Sequence, residues 1–373
     1  MRRLRPWLMA ASIAFALLLA AGAGLWLVYG ESVRVLAGLV NASGEPLPPG
    51  VTRQPLLLLS GDATVQADIY EPAEPRAVLL FVPGLTSAGK SDSRVVGVSG
   101  VLAGAGFRVV TPDLPGAMAL SAGREDSAVL RLLLDHLVAE QAENGLPLGV
   151  VAVSYGLAPA LAAAAAPERA QGIAMVLGLG GYFDGAAVVS YATTGWFTDP
   201  RDGITRMGHP DSRARWLLLY SLLEHVPSAL DRNRLAELAR VGAAGGAPGL
   251  VATTQAMAQG GPDARAILGL IANTEPERVD TLIEALPPKA HDDLTALSPS
   301  RLDLAALAGR IVLVHGETDP VIPFSESLRL ADAVPGSRVF LIPGFSHVAP
   351  EETGTMGHVA MIQAVRVLLS LRR

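Results

Sequence analysis

Val150-Val151-Ala152-Val153-Ser154-Tyr155-Gly156 carries an apolar, β-branched run into a serine with small residues two places before and two places after it. A buried strand that ends in this way turns directly into a helix. Such a turn forces Ser154 into a strained conformation and raises its hydroxyl above the sheet. Ala152 and Gly156 suit it, because a larger side chain at either place would strike neighbouring backbone. The usual first glycine is absent, and a small-x-Ser-x-Gly match alone also describes serines that only cap helices. The flanks strengthen the match: 148–153 reads as a strand and 155–166 as its following helix.

The same alternation extends to both sides. Residues 77–82, 107–111, 173–179, 311–314 and 338–342 are short apolar runs, with helical spacing near 94–105, 126–140, 325–333 and 356–371. Strands that are apolar throughout and separated by helices predict a mostly parallel sheet covered on both faces. Ahead of them, 54–60 and 64–70 form a hairpin around Gly61-Asp62. The rhythm breaks between 181 and 305. Helix-like stretches occur there at 213–224, 232–240, 263–271 and 278–286, with no convincing strand between them. A helical cap inserted between two strands is expected, dividing an α/β core into 51–180 and 306–373.

A serine hydroxyl needs a base, and the base needs an orienting acceptor. His315-Gly316-Glu317-Thr318-Asp319-Pro320 begins at a strand end and places Asp319 in the turn that leaves the sheet. Ile342-Pro343-Gly344-Phe345-Ser346-His347 leaves His347 in a loop before the last helix. The order nucleophile, acid, base follows, with each group just after a strand, where catalytic groups collect in parallel sheets. Asp184 is a weaker acid candidate and His358 a weaker base candidate. The other histidines (136, 209, 225, 291 and 315) show no metal-ligand spacing, and no metal or cofactor is expected. Leu177-Gly178-Leu179-Gly180-Gly181 lacks full dinucleotide-binding spacing and reads as a strand exit into the cap.

With these residues the chain resembles the α/β-hydrolase superfamily over about residues 54–373. The segment 316–323 is similar to the family's acid turn and Phe345-Ser346-His347 to its histidine loop. The resemblance implies a serine acyl hydrolase in which Ser154 attacks, His347 is the general base and Asp319 orients it. It also implies an oxyanion hole from the backbone amides of Leu85 and Tyr155. Pro83-Gly84 stands where the family usually has His-Gly, so any loop bond from that imidazole is missing. Carboxylic esters are the favoured substrate class, small-molecule or lipid. Thioesters, amides and a non-catalytic envelope binding protein are the alternatives. Serine at the elbow disfavours halide displacement.

Composition sets the surroundings. Of 373 residues half are hydrophobic, which excludes general disorder, and the net charge is −6 with no cysteine at all. Setting aside Arg2, Arg3 and Arg5, the remainder is more acidic still, so nucleic acid is not expected as a partner. Residues 6–30 contain no charged side chain; as a helix they would be about 37 Å long, enough for a bilayer core of roughly 30 Å. Trp7 lies near one end, and Trp26 and Tyr29 near the other. One transmembrane anchor over 1–30 is expected, its N-terminus cytoplasmic and the catalytic part outside. A cleaved signal peptide, cut near Ala21-Gly22-Ala23, is the competing reading. Residues 31–50 are expected to form a linker or peripheral segment. Protein partners are not legible.

Overall fold

The computed structural model describes residues 24, 26–61, 63–121, 123–245, 250–347 and 353–373. Most of the expected membrane segment, with Trp7, lies outside these residues. Among the described residues, no helix is long and apolar enough to cross a membrane. The segment expected as a linker or peripheral stretch is helical as far as residue 40 (α1, residues 26–40) and buries Val35 against the core.

Two antiparallel strands follow, β1 (Val51–Ser60) and β2 (Ala63–Pro72). Alternation then sets in: β3 (Ala77–Val82), α2 (Ser93–Gly104), β4 (Phe107–Pro112), α3 (Pro115–Met118), α4 (Arg124–Asn144), β5 (Leu148–Val153), α5 (Leu157–Ala164), α6 (Pro167–Gly172) and β6 (Ile173–Leu179). It breaks at β6 for α7 (Gly185–Thr194), β7 (Trp196–Asp199), β8 (Ile204–Met207), α8 (Ala214–Leu222), α9 (Ala229–Ala243), α10 (Leu250–Gln259), α11 (Pro262–Ala272), α12 (Val279–Glu284) and α13 (Pro288–Ala296). β9 (Ile311–Gly316), α14 (Ser325–Ala333), β10 (Arg338–Ile342) and α15 (Thr355–Leu369) complete the chain. The sheet has eight strands in the order β1-β2-β4-β3-β5-β6-β9-β10, with every pair from β4 to β10 parallel. This is an α/β fold with a mostly parallel central sheet, consistent with the α/β-hydrolase arrangement.

Strand periodicity accounts for the two layers of core. In β3, Val78, Leu80 and Val82 join one apolar cluster with α3 to α6 and α14, while Ala77, Leu79 and Phe81 join the other with α1, α2 and α15. Side chains alternate across a strand, so one covered on both faces must be apolar at every position, as β3 is.

The insertion between β6 and β9, the segment expected as a cap and hereafter the lid, has its own core, including Leu219, Leu222, Leu235, Ile267 and Ile271. It is not purely helical. β7 and β8 form an antiparallel hairpin, which four-residue strands around Pro200-Arg201-Asp202-Gly203 do not announce as apolar runs. α7, α10 and α13 were likewise not marked by spacing. The lid enters through Phe183 and Asp184, whose N–H groups both donate to the buried Glu326 carboxylate, at 3.0 and 2.7 Å.

Candidate active site

Ser154 follows β5 with φ of +53°, in the left-handed region that non-glycine residues rarely occupy. The expected strain at the turn is therefore present. Gly156 has no room for a side chain, since a Cβ there would collide with the carbonyl oxygen of Pro83. Gly84 passes beside the serine: a Cβ on it would lie 3.2 Å from Ser154 Cβ. The turn after β3, which carries the partly exposed Leu85, is thus packed against the elbow.

The three groups placed after separate strands come together. His347 Nε2 lies 2.6 Å from Ser154 Oγ, and His347 Nδ1 lies 2.8 Å from Asp319 Oδ2. With the Nδ1–H tautomer, His347 donates to the carboxylate and accepts from the hydroxyl. Asp319 is buried, and its Oδ1 accepts from the amides of Val321 and Ile322 at 2.8 and 3.0 Å. Burial alone would push this carboxyl up, but hydrogen bonds from His315 and His347 outweigh it and hold Asp319 well below the usual range.

Two glycines let the loops converge. A Cβ on Gly316 would overlap the Phe345 carbonyl, and one on Gly180, at φ +59°, would lie 2.8 Å from His347 O. The glycine run leaving β6 is a strand exit that makes room for the histidine loop. Asp184 instead caps α7, accepting from the Ala186 amide, and His358 Nδ1 faces the carbonyl of Gly354, the residue before α15. Neither is joined to Ser154.

Several members of the site escaped sequence reasoning. His315 is fully buried between Ser327 Oγ at 2.7 Å and the Ile322 carbonyl at 2.9 Å, with Nε2 3.3 Å from Asp319 Oδ2. Spacing for metal ligands was the wrong test for it; its place four residues before Asp319 was the available signal. The Tyr155 hydroxyl donates to Asp126 Oδ2 at 3.0 Å, and Asp126 also accepts from the amides of Gly116 and Ala117. Burial pushes Asp126 up to about 6, against those hydrogen bonds. The elbow is thereby tied to the start of α4.

The loop after β3 is held by hydrogen bonds and charge. Thr86 Oγ1 donates to Asp92 at 2.7 Å, the Lys90 amide donates to Asp113 Oδ1 at 2.9 Å, and Lys90 Nζ lies 3.2 Å from Asp68. Among the described residues, one group of side chains is close enough to share a cation: Glu224, His225 and Asp293, where the lid meets the core. Arg124 already pairs with Asp293 at 3.2 Å, and Ser121 donates to Glu224 at 2.8 Å.

No protein-family model matches the chain, and no curated protein matches it either. Solved structures do. The EstE1 carboxylesterase, cloned from a metagenomic library, is 14% identical with a TM-score of 0.45, covering 93% of this chain and 96% of that one. An esterase from Pyrobaculum calidifontis is 14% identical with a TM-score of 0.47, covering 98% of both. Dienelactone hydrolase from Anabaena variabilis is 15% identical with a TM-score of 0.40, covering 86% and 98%. Likeness at this level leaves the reaction to be argued from the side chains.

Proposed function

We propose that the protein is a serine hydrolase that cleaves carboxylic esters through an acyl-enzyme. Ser154 Oγ attacks the ester carbonyl while His347 Nε2 takes its proton, and the amides of Leu85 and Tyr155 receive the oxyanion. Collapse breaks the ester bond, and the imidazolium gives its proton to the leaving alkoxide, releasing the alcohol. Water then attacks the acyl-serine with His347 again as base, which frees the carboxylic acid and restores Ser154. Asp319 stays ionised throughout and fixes the imidazole tautomer. The observation that carries this reading is the continuous chain from Ser154 Oγ through His347 to Asp319, at 2.6 and 2.8 Å, on a serine held at positive φ.

Its test is covalent labelling with a fluorophosphonate. Labelling is expected at Ser154, absent in Ser154→Ala and strongly reduced in His347→Ala. A folded protein that stays unlabelled would reject the reading. A panel of esters, thioesters and amides graded by acyl length then ranks the substrate classes. Residues 6–30, apolar and preceded by Arg2, Arg3 and Arg5, are read as an anchor that holds the enzyme at a membrane, outside the cytoplasm. A mature N-terminus that begins beyond Ala23 would reject the anchor.

A further inference from the structure

The described domain meets its N-terminal segment at the edge of the sheet opposite Ser154. Glu31, near the start of α1, pairs with Arg372 at 2.8 Å and with Arg76 at 3.8 Å. Arg76 stands immediately before β3, and Arg372 donates to the carbonyl of Ala105, just before β4. Both therefore mark the amino ends of the parallel strands. Near its other end α1 lies beside the last turn of α2, where a Cβ on Gly38 would touch Val101, and the chain beyond α1 reaches the beginning of α2, where one on Gly44 would touch Ser93. α1 thus runs along the strand direction beside α2, with its N-terminus aimed out of the sheet's amino edge. Ser154, Asp319 and His347 all follow carboxyl ends. A six-residue strand such as β5 separates the two edges by about 20 Å.

The amino edge has the surface chemistry of a membrane contact. Trp26, Leu27 and Val28 are 60%, 86% and 47% exposed, on a helix that leads back into the uncharged stretch beginning at Pro6. Around its exit stand Arg34, which donates to the Gly30 carbonyl, and Arg366, whose guanidinium lies 4.9 Å from the Tyr29 ring centroid, together with Arg76 and Arg372. Arg34, Arg76 and Arg366 are exposed there and suit anionic headgroups, Arg372 being buried against Glu31, and Trp26 with Tyr29 beside an apolar stretch of sequence suits the interface.

We propose that this edge rests on the headgroups of an anionic bilayer, with the segment before Val28 in the lipid, so that the catalytic edge opens away from the membrane. The inference rests on the hydrolase and anchor readings and narrows them. The substrate is a water-soluble ester delivered from the aqueous side, and the lipids of the enzyme's own bilayer are out of reach.

Because the chain has no cysteine, single labels can be placed cleanly. Leu27→Cys marks the amino edge. Ile204→Cys marks the β7–β8 hairpin, whose neighbour Arg201 lies 3.7 Å from Glu317 beyond the carboxyl end of β9. The full-length chain with a fluorophore at either site is reconstituted in phosphatidylcholine–phosphatidylglycerol vesicles containing a headgroup nitroxide lipid. Loss of most of the fluorescence is expected at 27 and none at 204. Quenching at 204, or none at 27, would overturn the orientation. In the same vesicles a soluble short-chain ester should turn over while ester lipid stays at background; preferential lipid cleavage would overturn the substrate assignment. Fluorophosphonate labelling separates the failures. An unlabelled protein with the expected quenching loses the hydrolase reading, whereas a labelled protein quenched at 204 loses only the orientation.

Discussion

The carboxyl edge of the sheet and the lid above it are held by different forces. At the edge, backbone meets backbone: Gly156 against Pro83, Gly316 against Phe345 and Gly180 against His347 leave no space for a side-chain atom. The insertion has a separate apolar core and meets the sheet domain largely through polar pairs such as Ser121–Glu224, Arg124–Asp293 and Arg201–Glu317, with Phe197 against Phe324 and the Tyr191 hydroxyl on the Asp319 carbonyl beside them. Close backbone packing fixes positions to fractions of an ångström, as acyl chemistry requires. Partly exposed polar pairs are individually weak and exchange readily with water. The difference teaches that the proposed chemistry would be built into the sheet edge, which the insertion touches at the acid turn through Tyr191 on the Asp319 carbonyl and the Asp211 amide on the Pro320 carbonyl.

The sharpest break of this contrast is at the edge. Asp319→Asn should leave the fold intact but lower kcat by about 10⁴-fold, because the amide favours the wrong imidazole tautomer; initial rates on a soluble ester would measure it. Gly156→Ala pushes a methyl group into the Pro83 carbonyl and should cost about 3 kcal/mol or more, read from the denaturant midpoint. A mild effect there would show that the elbow is looser than its geometry implies.

Asp126 offers a pH test of the same edge. A carboxyl raised on folding holds its proton more tightly in the native chain. Its contribution to stability is therefore full below its unfolded value near 3.8 and is lost as pH rises through about 6. The swing is about 3 kcal/mol, to order of magnitude. Asp126→Asn should flatten that part of the stability profile in denaturant titrations at stepped pH. An unchanged slope would assign it to other groups.

The smallest effect belongs to the lid. Glu224→Gln should cost under about 1 kcal/mol and leave fluorophosphonate labelling unchanged. It should also speed limited proteolysis of the lid. Loss of labelling would mean that lid and edge are coupled more tightly than their contacts suggest.

Legibility followed the same division. β3 and β5 could be read to the residue because strands buried on both faces must be apolar without a break, and β6 and β10, apart from the exposed Ala174 and Arg338, are apolar enough to follow. Ser154, Asp319 and His347 were legible from what precedes each, a strand end and a turn. The support around them was not. Asp126 and Lys90 act through contacts with segments nine or more residues away, and nothing local distinguishes a buried polar partner from a solvated one, whereas the partners of His315 lie within twelve residues of it. The β7–β8 hairpin and α13 were missed for a related reason: elements of a lid that packs on itself need only a partial apolar face.

Glu326 fixes where the lid can pivot. Its buried Oε2 accepts from the amides of Phe183 and Asp184 together, so tilting the insertion about that entrance would take both donors from this oxygen and leave Arg329, on Oε1, as the carboxylate's remaining partner. Those two bonds tie the start of the insertion, a few residues after Gly180, to α14, and Gly180 itself packs against the His347 backbone.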